Sequence, residues 1–443
     1  MKAKLLLNHF KIKHMKKIYL MGAAIATFLT VQAQDCTGGR YGTEIFTNLD
    51  VTSDVQYGSN VNYDGSNQNL LLDIYRPTGD TETDRPLIIF IHGGTFVVGS
   101  KTQADVKPLA EMFAKKGYVT SSINYRLGMK NLVSLSGPSA ADASEAVMRA
   151  TQDARAAVRF FKKSVATDNN PYGIDTTNIF LVGSSAGGFV ALHLSYLDQV
   201  SEIPSFINQS DPSLTGGLEG NSGNPGHTSD VKAIVSLAGA LGDTTWMENN
   251  TTPVLSMHGD ADNTVPFGTG LISVAIFDIM VVDGSESVHI KAENLGIKNC
   301  FKAEYGADHV PHQFNAAYLD TTEQYITQFL LSEVCGETEY CICNTPADPI
   351  ACHPLDGTTG LEIEQLSELL LIYPNPAQNQ VAISLEGFII EKLTLLDVNG
   401  RIVHNQQVNE SYINIDVSKL NQGIYFVKIE TDRGLLTKKL IIE

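Results

Sequence analysis

The stretch that decides the fold is IFLVGSSAGG, residues 179–188. Its first four residues are an apolar run typical of a buried strand, and residues 189–196 continue with a helical pattern. Between them, the frame G-x-S-x-G puts Ser185, rather than Ser184, at the centre. A sharp turn from strand to helix needs glycine on both sides because the backbone is crowded there. The pattern therefore predicts a serine hydroxyl raised out of a sheet at the positive end of a helix, with a plain Gly/Ser turn as the alternative.

Outward from this stretch, short apolar runs alternate with helical patterns from about residue 69 to residue 312. Several runs are apolar on both faces, as expected for parallel strands buried between helices. The predicted strands are 70–75, 86–91, 118–125, 179–182, 231–237 and 253–257, and the predicted helices are 141–164, 189–196 and 284–295. This alternation predicts a doubly wound, mostly parallel α/β sheet. Residues 196–230 are rich in Gly, Ser, Asn and Pro and are a candidate lid insertion.

A reactive serine needs a base and donors for the negative oxygen of its intermediate. His92, Gly93 and Gly94 follow the strand 86–91, and the two glycines leave backbone N–H groups uncovered. We expect the N–H of Gly93 or Gly94, together with that of Ala186, to form an oxyanion hole. His92 itself is expected to be structural, since the base should lie further along the chain.

Two later strand ends offer an acid and a base. Asp260 and Asp262 follow the strand 253–257, and Asp260 is expected to tie the turn through backbone amides, which leaves Asp262 as the acid. His309 follows a Gly-Ala-Asp turn and is the predicted base, with His312 as the alternative. The order Ser, Asp, His along the chain is that of an α/β-hydrolase triad.

Length and charge limit the number of domains and the partners. A length of 443 residues is too great for one ordinary domain. A hydrophobic content of 43% is too high for a disordered chain. The 31 basic and 49 acidic residues give a formal charge of −18. A nucleic-acid partner is therefore not expected, because phosphates repel so acidic a chain.

The N-terminal residues indicate export. The first 17 residues contain six lysines and no acid, and the apolar run 18–31 is 14 residues long. A membrane-spanning helix needs about 20 residues, so the run is too short for a stable span. Together with the small residues that end at Ala33, it predicts a signal peptide over 1–33. An uncleaved membrane anchor, and a start at Met15 rather than Met1, are the alternatives.

All six cysteines follow the predicted signal peptide, and four of them crowd into 335–352. An even number of cysteines in an exported chain favours disulfides, and the sequence does not choose among the pairings. Residues 336–368 are therefore predicted to be a cysteine-rich linker stapled by disulfides. A zinc site that includes His353 is the alternative.

The last part of the chain, 369–443, has a different pattern. Alternating strands are predicted at 392–398 and 423–430, with turn signals at 399–400 and 432–434. No helical period is present. This part is predicted to be a small all-β sandwich.

The motifs of the larger part resemble the α/β-hydrolase superfamily, in particular its carboxylesterase and lipase-like branch. The matching segments are PLIIFIHGGTFVVGS (86–100), INYRLG (123–128), GSSAGG (183–188), HGDADNTVP (258–266) and YGADHVPH (305–312). The resemblance implies a catalytic domain over 34–335 that needs no metal or organic cofactor. It implies the nucleophile Ser185, the acid Asp262, the base His309 and an oxyanion hole of Gly93, Gly94 and Ala186.

The sequence departs from two subfamily patterns within that superfamily. Thr95 stands where the hormone-sensitive-lipase pattern has a third glycine. Ser184 stands where the type-B carboxylesterase pattern has glutamate. Neither subfamily is assigned.

The C-terminal part resembles the type IX secretion sorting domain of Gram-negative bacteria. The matching segments are YPNP (373–376), LLDVNGRIV (395–403) and LNQGIYFVKIETDRGLLTKKLII (420–442). The resemblance implies passage through the periplasm and then the outer membrane by the export machinery, with release or attachment at the cell surface. A generic β-sandwich binding module is the alternative.

Together these features predict a secreted serine carboxylic ester hydrolase that forms an acyl-enzyme on a small or polymer-borne ester. The sequence does not choose among acyl, feruloyl, acetyl-polysaccharide and polyester substrates. A serine peptidase of the prolyl-oligopeptidase type and a non-catalytic hydrolase-like surface binding protein are the alternatives.

Overall fold

A computed structural model describes residues 36–248, 250–274, 277–341, 370–385, 390–398, 400–431 and 434–443. The predicted signal peptide, 1–33, and most of the predicted linker, 342–368, lie outside the described residues. Within the described part, no helix is both long and apolar enough to span a membrane.

The larger part of the chain alternates strands with helices. In chain order the elements are β1 (Leu49–Val61), β2 (Asn67–Pro77), β3 (Arg85–Ile91), α1 (Lys107–Lys115), β4 (Val119–Ile123), α2 (Ala140–Thr167), β5 (Ile174–Ser184), α3 (Ala186–Tyr196), β6 (Ala233–Leu237), β7 (Ala240–Leu241), β8 (Val254–Gly259), β9 (Thr269–Val274), β10 (Phe277–Gly284), α4 (Ser285–Leu295), β11 (Asn299–Glu304) and α5 (Ala316–Val334).

Eight of these strands form one sheet in the order β1-β2-β4-β3-β5-β6-β8-β11. From β4 to β11 every neighbouring pair is parallel, whereas β1 and β2 form an antiparallel edge. In a parallel sheet the carboxyl ends of the strands meet at one edge, which is where such sheets bind ligands. The loops after β3, β5, β8 and β11 therefore converge there.

Helices cover both faces of this sheet. On one face α1 and α5 pack through residues such as Phe113 and Phe329. On the other face α2, α3 and α4 pack through residues such as Phe161, Val190 and Val288. The predicted doubly wound, mostly parallel α/β sheet is confirmed.

The long helix α2 begins where the sequence supplies a reciprocal cap. The Ser139 hydroxyl accepts a hydrogen bond from the Asp142 N–H at 3.2 Å, and the Asp142 carboxylate accepts one from the Ser139 N–H at 2.8 Å. This capping box satisfies two backbone donors that the first turn leaves free. The helix runs to Thr167, three residues beyond the predicted end.

Several elements have no counterpart among the predicted ones. Strand β1 is an edge strand in which every residue except Tyr57 is exposed or half-buried, so its sequence lacks the apolar pattern that marks a buried strand. Strands β9 and β10 pair as an antiparallel hairpin outside the main sheet, and β7 joins them. The helices α1 and α5 were also not predicted.

The described residues of the C-terminal part, from 370 onward, form strands and no helix. They are β12 (Leu370–Tyr373), β13 (Gln380–Leu385), β14 (Ile390–Asp397), β15 (Ile402–Glu410), β16 (Tyr412–Asp416), β17 (Gly423–Thr431) and β18 (Gly434–Ile442). They form two antiparallel sheets, β12-β13-β16 and β15-β14-β17-β18, around an apolar core that includes Val381, Leu393 and Val427. The predicted small all-β sandwich is confirmed.

Two disulfides join distant parts of the larger domain. Cys36 pairs with Cys335, and Cys300 pairs with Cys341. The prediction of disulfides is confirmed, but these two do not close loops within the linker. They attach the residues after α5 to the segment before β1 and to β11. Oxidised Cys335 and Cys341 also cannot serve as zinc ligands, so the zinc alternative is wrong for that pair.

Candidate active site

Ser185 lies on a strained turn between β5 and α3, with φ of 53° and ψ of −117°. Its N–H donates to the carbonyl of Leu237 at 2.7 Å, which ties the turn to β6. A Cβ added to Gly183 would lie 2.0 Å from the carbonyl oxygen of Gly187. One added to Gly187 would lie 1.9 Å from the carbonyl oxygen of Ile91. Both glycines of G-x-S-x-G are therefore required by close backbone approach, as the sequence predicts.

The structure brings Ser185, His309 and Asp262 together. The Ser185 hydroxyl donates to His309 Nε2 at 2.7 Å, and His309 Nδ1 donates to Asp262 Oδ2 at 2.6 Å. The carboxylate cannot donate, so the imidazole carries its proton on Nδ1 and leaves Nε2 to accept. This is the geometry of a nucleophile, a base and an orienting acid.

The Asp262 carboxylate is fully buried and accepts four hydrogen bonds. Oδ1 accepts from the N–H groups of Thr264 at 2.7 Å and Val265 at 2.9 Å. Oδ2 accepts from His309 and from a second imidazole, His258 Nε2, at 3.0 Å. Burial alone would raise the pKa of Asp262, but the bonds from the two histidines outweigh it and hold that pKa well below the usual range.

Two neighbouring acids join the loops that follow β8 and β11. Asp260 accepts a hydrogen bond from the Gly306 N–H at 2.6 Å, so it bonds a backbone amide as expected, but one in the loop after β11 rather than in its own turn. Asp308 accepts from the N–H groups of Asn263 at 3.1 Å and His309 at 2.8 Å. These bonds hold the loop after β11, which carries His309, against the loop after β8, which carries Asp262.

His312 does not contact Ser185 or Asp262. Its Nε2 lies 3.2 Å from the carbonyl oxygen of Asp105, and the ring is 4% exposed. Burial lowers the pKa of His312 to about 4, so the ring is neutral at neutral pH. The alternative that His312 is the base does not fit this placement.

One of the backbone N–H groups expected to bind an oxyanion already has an acceptor. The Gly93 N–H donates to Asp105 Oδ2 at 2.8 Å, so it is not free to bind an oxyanion. The N–H groups of Gly94 and Ala186 donate to no other residue in the described part of the chain. Of the two glycines expected to donate, Gly94 therefore keeps an uncommitted N–H, whereas the N–H of Gly93 already has an acceptor.

His92 holds the loop that contains these glycines. Its Nδ1 donates to the carbonyl of Gly93 at 2.6 Å, and its ring stacks on Tyr125 at 4.4 Å between centroids. Burial lowers the pKa of His92 to about 4, against the hydrogen bond to Gly93. A neutral, buried and stacked ring matches the structural role expected from the sequence.

Asp105 was not predicted as a site residue. It lies just before α1, is 2% exposed and holds the Gly93 N–H described above. Burial raises the pKa of Asp105, and the hydrogen bond from Gly93 opposes that rise. No motif in the sequence marks it, because its partner is a backbone group 12 residues away.

A cavity of about 430 Å³ opens beside Ser185 and Ala186. Most of its lining is apolar. These apolar residues include Phe96, Met129, Val147, Met148, Phe189, Leu197, Phe206, Ile207, Trp246, Val265, Ile272, Met280 and Val282. Strands β9 and β10 thus form part of a wall that the sequence did not predict.

Only the beginning of the candidate lid insertion borders this cavity, through Leu197, Glu202 and residues 204–207. Further along, Glu219 pairs with Arg155 at 3.0 Å and with Arg159 at 2.5 Å, both on α2. The second half of the insertion is therefore held against α2 rather than over Ser185.

The chain is similar to known esterases and to a secretion sorting domain. Residues 72–242 match the family model BD-FAE, and residues 371–443 match the model of the secretion system C-terminal sorting domain. Mouse carboxylesterase 1D is 29% identical over 212 residues, 47% of this chain and 32% of that protein. Mouse carboxylesterase 3B is 35% identical over 133 residues, 30% of this chain and 21% of that protein.

The chain thus spans about a third or less of the length of these curated relatives. Among solved structures, a truncated carbohydrate esterase from gut microbiota has a TM-score of 0.45 at 22% identity and covers 66% of this chain and 98% of its own. The C-terminal match indicates a protein that is secreted or carried at the cell surface. Over 72–242 the chain is therefore similar to the esterase-like BD-FAE family, and over 371–443 it is similar to the secretion system C-terminal sorting domain.

Proposed function

We propose that the chain is an exported serine carboxylic ester hydrolase that works through an acyl-enzyme. The observation that carries the proposal is the pair of short hydrogen bonds from Ser185 through His309 to Asp262, beside an apolar cavity. In this arrangement Ser185 has a base next to it, and that base has a carboxylate to orient it, as nucleophilic catalysis requires.

In the first half of the reaction, Ser185 Oγ attacks the ester carbonyl carbon while His309 Nε2 takes the hydroxyl proton. Asp262 stabilises the imidazolium that forms. The carbonyl oxygen becomes negative and accepts hydrogen bonds from the N–H groups of Gly94 and Ala186. His309 then gives its proton to the leaving alcohol as the carbon–oxygen bond breaks, and the acyl group stays on Ser185.

In the second half, a water molecule takes the place of the alcohol. His309 Nε2 accepts a proton from the water as its oxygen attacks the acyl carbon. The same two N–H groups bind the second oxyanion. Collapse of this intermediate returns the proton to Ser185 Oγ and releases the carboxylic acid.

The cavity beside Ser185 favours an apolar acyl group. Each buried CH₂ is worth about 0.8 kcal/mol, which corresponds to about a fourfold gain in kcat/KM. Two further methylenes, from acetate to butyrate, should therefore raise kcat/KM by about 15-fold, and the gain should stop once the cavity of about 430 Å³ is filled.

The test uses p-nitrophenyl acetate, butyrate and octanoate with the wild type, Ser185→Ala and Ser195→Ala. Ser195 is buried near the end of α3, the helix that follows Ser185, and does not line the cavity, so it is the matched control. We expect Ser185→Ala to lose at least about 1,000-fold in kcat and Ser195→Ala to keep it. Equal rates for the wild type and Ser185→Ala would overturn the proposal.

A second measurement does not depend on the choice of substrate. Diisopropyl fluorophosphate should add one phosphoryl group to Ser185, located by peptide mass spectrometry. Labelling elsewhere, or in Ser185→Ala to the same extent, would contradict the proposed nucleophile.

We also propose the division of the chain into a removed signal peptide (1–33), a catalytic domain (34–335), a linker (336–368) and the sorting domain (369–443). Deletion of 369–443 should keep esterase activity, because Ser185, Asp262 and His309 lie outside that segment, but should leave the protein inside the outer membrane. Appearance of the truncated protein in the medium at the wild-type level would contradict the role of 369–443.

A further inference from the structure

His258 is a buried histidine at the end of β8 that the reaction steps above do not use. Its side chain is 0% exposed. Nε2 lies 3.0 Å from Asp262 Oδ2 and 3.2 Å from the carbonyl oxygen of Val265, and Nδ1 lies 2.8 Å from Ser285 Oγ. Every polar atom of the ring is therefore placed against a partner.

The partners of the ring determine where its proton is. A carboxylate and a carbonyl face Nε2, and neither can donate a hydrogen bond, so Nε2 must carry hydrogen. In the neutral ring Nδ1 is then an acceptor, and the hydroxyl of Ser285 is its donor. Ser285 thus holds the tautomer in which His258 donates to Asp262.

The two imidazoles share one oxygen of Asp262. His309 donates to Oδ2 at 2.6 Å and His258 donates to the same atom at 3.0 Å. The backbone N–H groups on Oδ1 restrain the other side of the carboxylate. Without His258, one of the two donors that define the direction of Oδ2 would be lost.

We propose that His258 is a positioning residue, which donates from Nε2 to Asp262 Oδ2 so that this oxygen stays aimed at His309 Nδ1. The inference rests on the proposed function, since it concerns the base of that reaction. The hydrogen-bonded chain of Ser185, His309 and Asp262 then continues through His258 to Ser285.

Packing alone is the competing explanation, because the ring of Phe267 meets that of His258 edge to face at 5.7 Å between centroids. The two explanations differ in what a conservative replacement does. A glutamine at 258 can present an amide N–H near the place of Nε2, whereas a leucine fills the space with no donor.

The experiment compares kcat and KM for the wild type, His258→Gln and His258→Leu with p-nitrophenyl butyrate. His289→Gln is the matched control. His289 is partly buried, and its Nδ1 lies 2.5 Å from Asn299 Oδ1, so its hydrogen bond does not involve Asp262. We expect His258→Leu to lower kcat by about 10- to 100-fold with KM within about twofold, and His258→Gln to recover to within about fivefold of the wild type. Equal kcat for the leucine variant and the wild type, or a glutamine variant as slow as the leucine one, would overturn the inference.

Two further measurements keep the test valid if His258→Leu does not fold. Ser285→Ala removes only the hydroxyl that fixes the tautomer, and we expect kcat to fall by about 3- to 10-fold; an unchanged kcat counts against the inference. The Nδ1 proton of His309 should give a downfield proton NMR signal that moves in Ser285→Ala and His258→Gln but not in His289→Gln. This signal can be recorded without turnover. If the wild type is inactive but its signal still moves in these two variants, the proposed function fails while the role of His258 is supported.

Discussion

The carboxylate of Asp105 accepts a hydrogen bond from the N–H of Gly93 at 2.8 Å. Of the two glycine N–H groups considered as oxyanion donors, this bond occupies that of Gly93 and leaves that of Gly94 for the proposed role. Asp105 is 2% exposed, so its removal would leave the Gly93 N–H buried without an acceptor.

We therefore expect Asp105→Leu to lower kcat by about 10- to 100-fold, mainly through the displaced oxyanion donor. Asp105→Asn keeps an oxygen that can accept from Gly93 and should lose much less. Steady-state kinetics with p-nitrophenyl butyrate measures both. If the leucine and asparagine variants have the same kcat, the bond to Gly93 does not position the loop.

The turn at Ser185 gives a second prediction, on stability. A Cβ on Gly187 would lie 1.9 Å from the carbonyl oxygen of Ile91, inside the main sheet, where the backbone cannot easily move. We expect Gly187→Ala to lower the free energy of unfolding by at least about 3 kcal/mol, measured by urea denaturation.

The control for that variant is Gly65→Ala. Gly65 has φ of 83° but no atom within 4 Å of an added Cβ, so it tests backbone strain without a clash. The expected loss is about 1 kcal/mol. If Gly187→Ala loses no more free energy of unfolding than Gly65→Ala, the turn at Ser185 can relax around a methyl group.

The sequence was sufficient to predict which residues meet at the edge of the sheet. Ser185, Asp262 and His309 each follow a strand of a parallel sheet, and the carboxyl ends of such strands converge whatever the rest of the chain does. Their catalytic roles remain predictions.

Asp105 and His258 could not be found in the same way. The partner of Asp105 is a backbone N–H, which any residue could supply, so no side-chain pattern records it. His258 was visible only as part of a motif, because its bonds to Asp262 and Ser285 depend on how β8 packs against the start of α4.

The disulfide pairing was also beyond the sequence. Pairing depends on which cysteines meet in space, and the crowding of four cysteines into 335–352 suggested bonds within that segment. Instead Cys335 lies at the C-terminal end of α5, next to Cys36. The position of α5 on the sheet decided the pairing.

The two disulfides should contribute unequally to stability. Cys36–Cys335 joins residues 299 positions apart, and Cys300–Cys341 joins residues 41 positions apart. In the chain-entropy account a longer closed loop restricts the unfolded chain more, by about 2 kcal/mol for this difference in length. We expect the double variant Cys36→Ala/Cys335→Ala to have a lower Tm than Cys300→Ala/Cys341→Ala, measured by calorimetry without reductant. The reverse order would mean that native contacts around Cys300 outweigh loop closure.

Glu304, at the end of β11, should make stability depend on pH. Glu304 is 5% exposed, and its Oε1 has no hydrogen-bond partner among the described residues. Burial raises the pKa of Glu304 from its ordinary 4.5 to about 7, against the charge of Lys302. Between these two values the unfolded chain releases a proton that the folded chain keeps, so the free energy of unfolding falls as pH rises from about 4.5 to about 7.

Glu304→Gln removes that titration. The variant should be more stable than the wild type at pH 8, by up to about 3 kcal/mol, and the difference should shrink toward zero near pH 4.5, where both side chains are neutral. Urea denaturation at the two pH values measures the difference. A variant that is equally destabilised at both would show that the Glu304 carboxyl makes a bond that an amide cannot replace, rather than suffering from its burial.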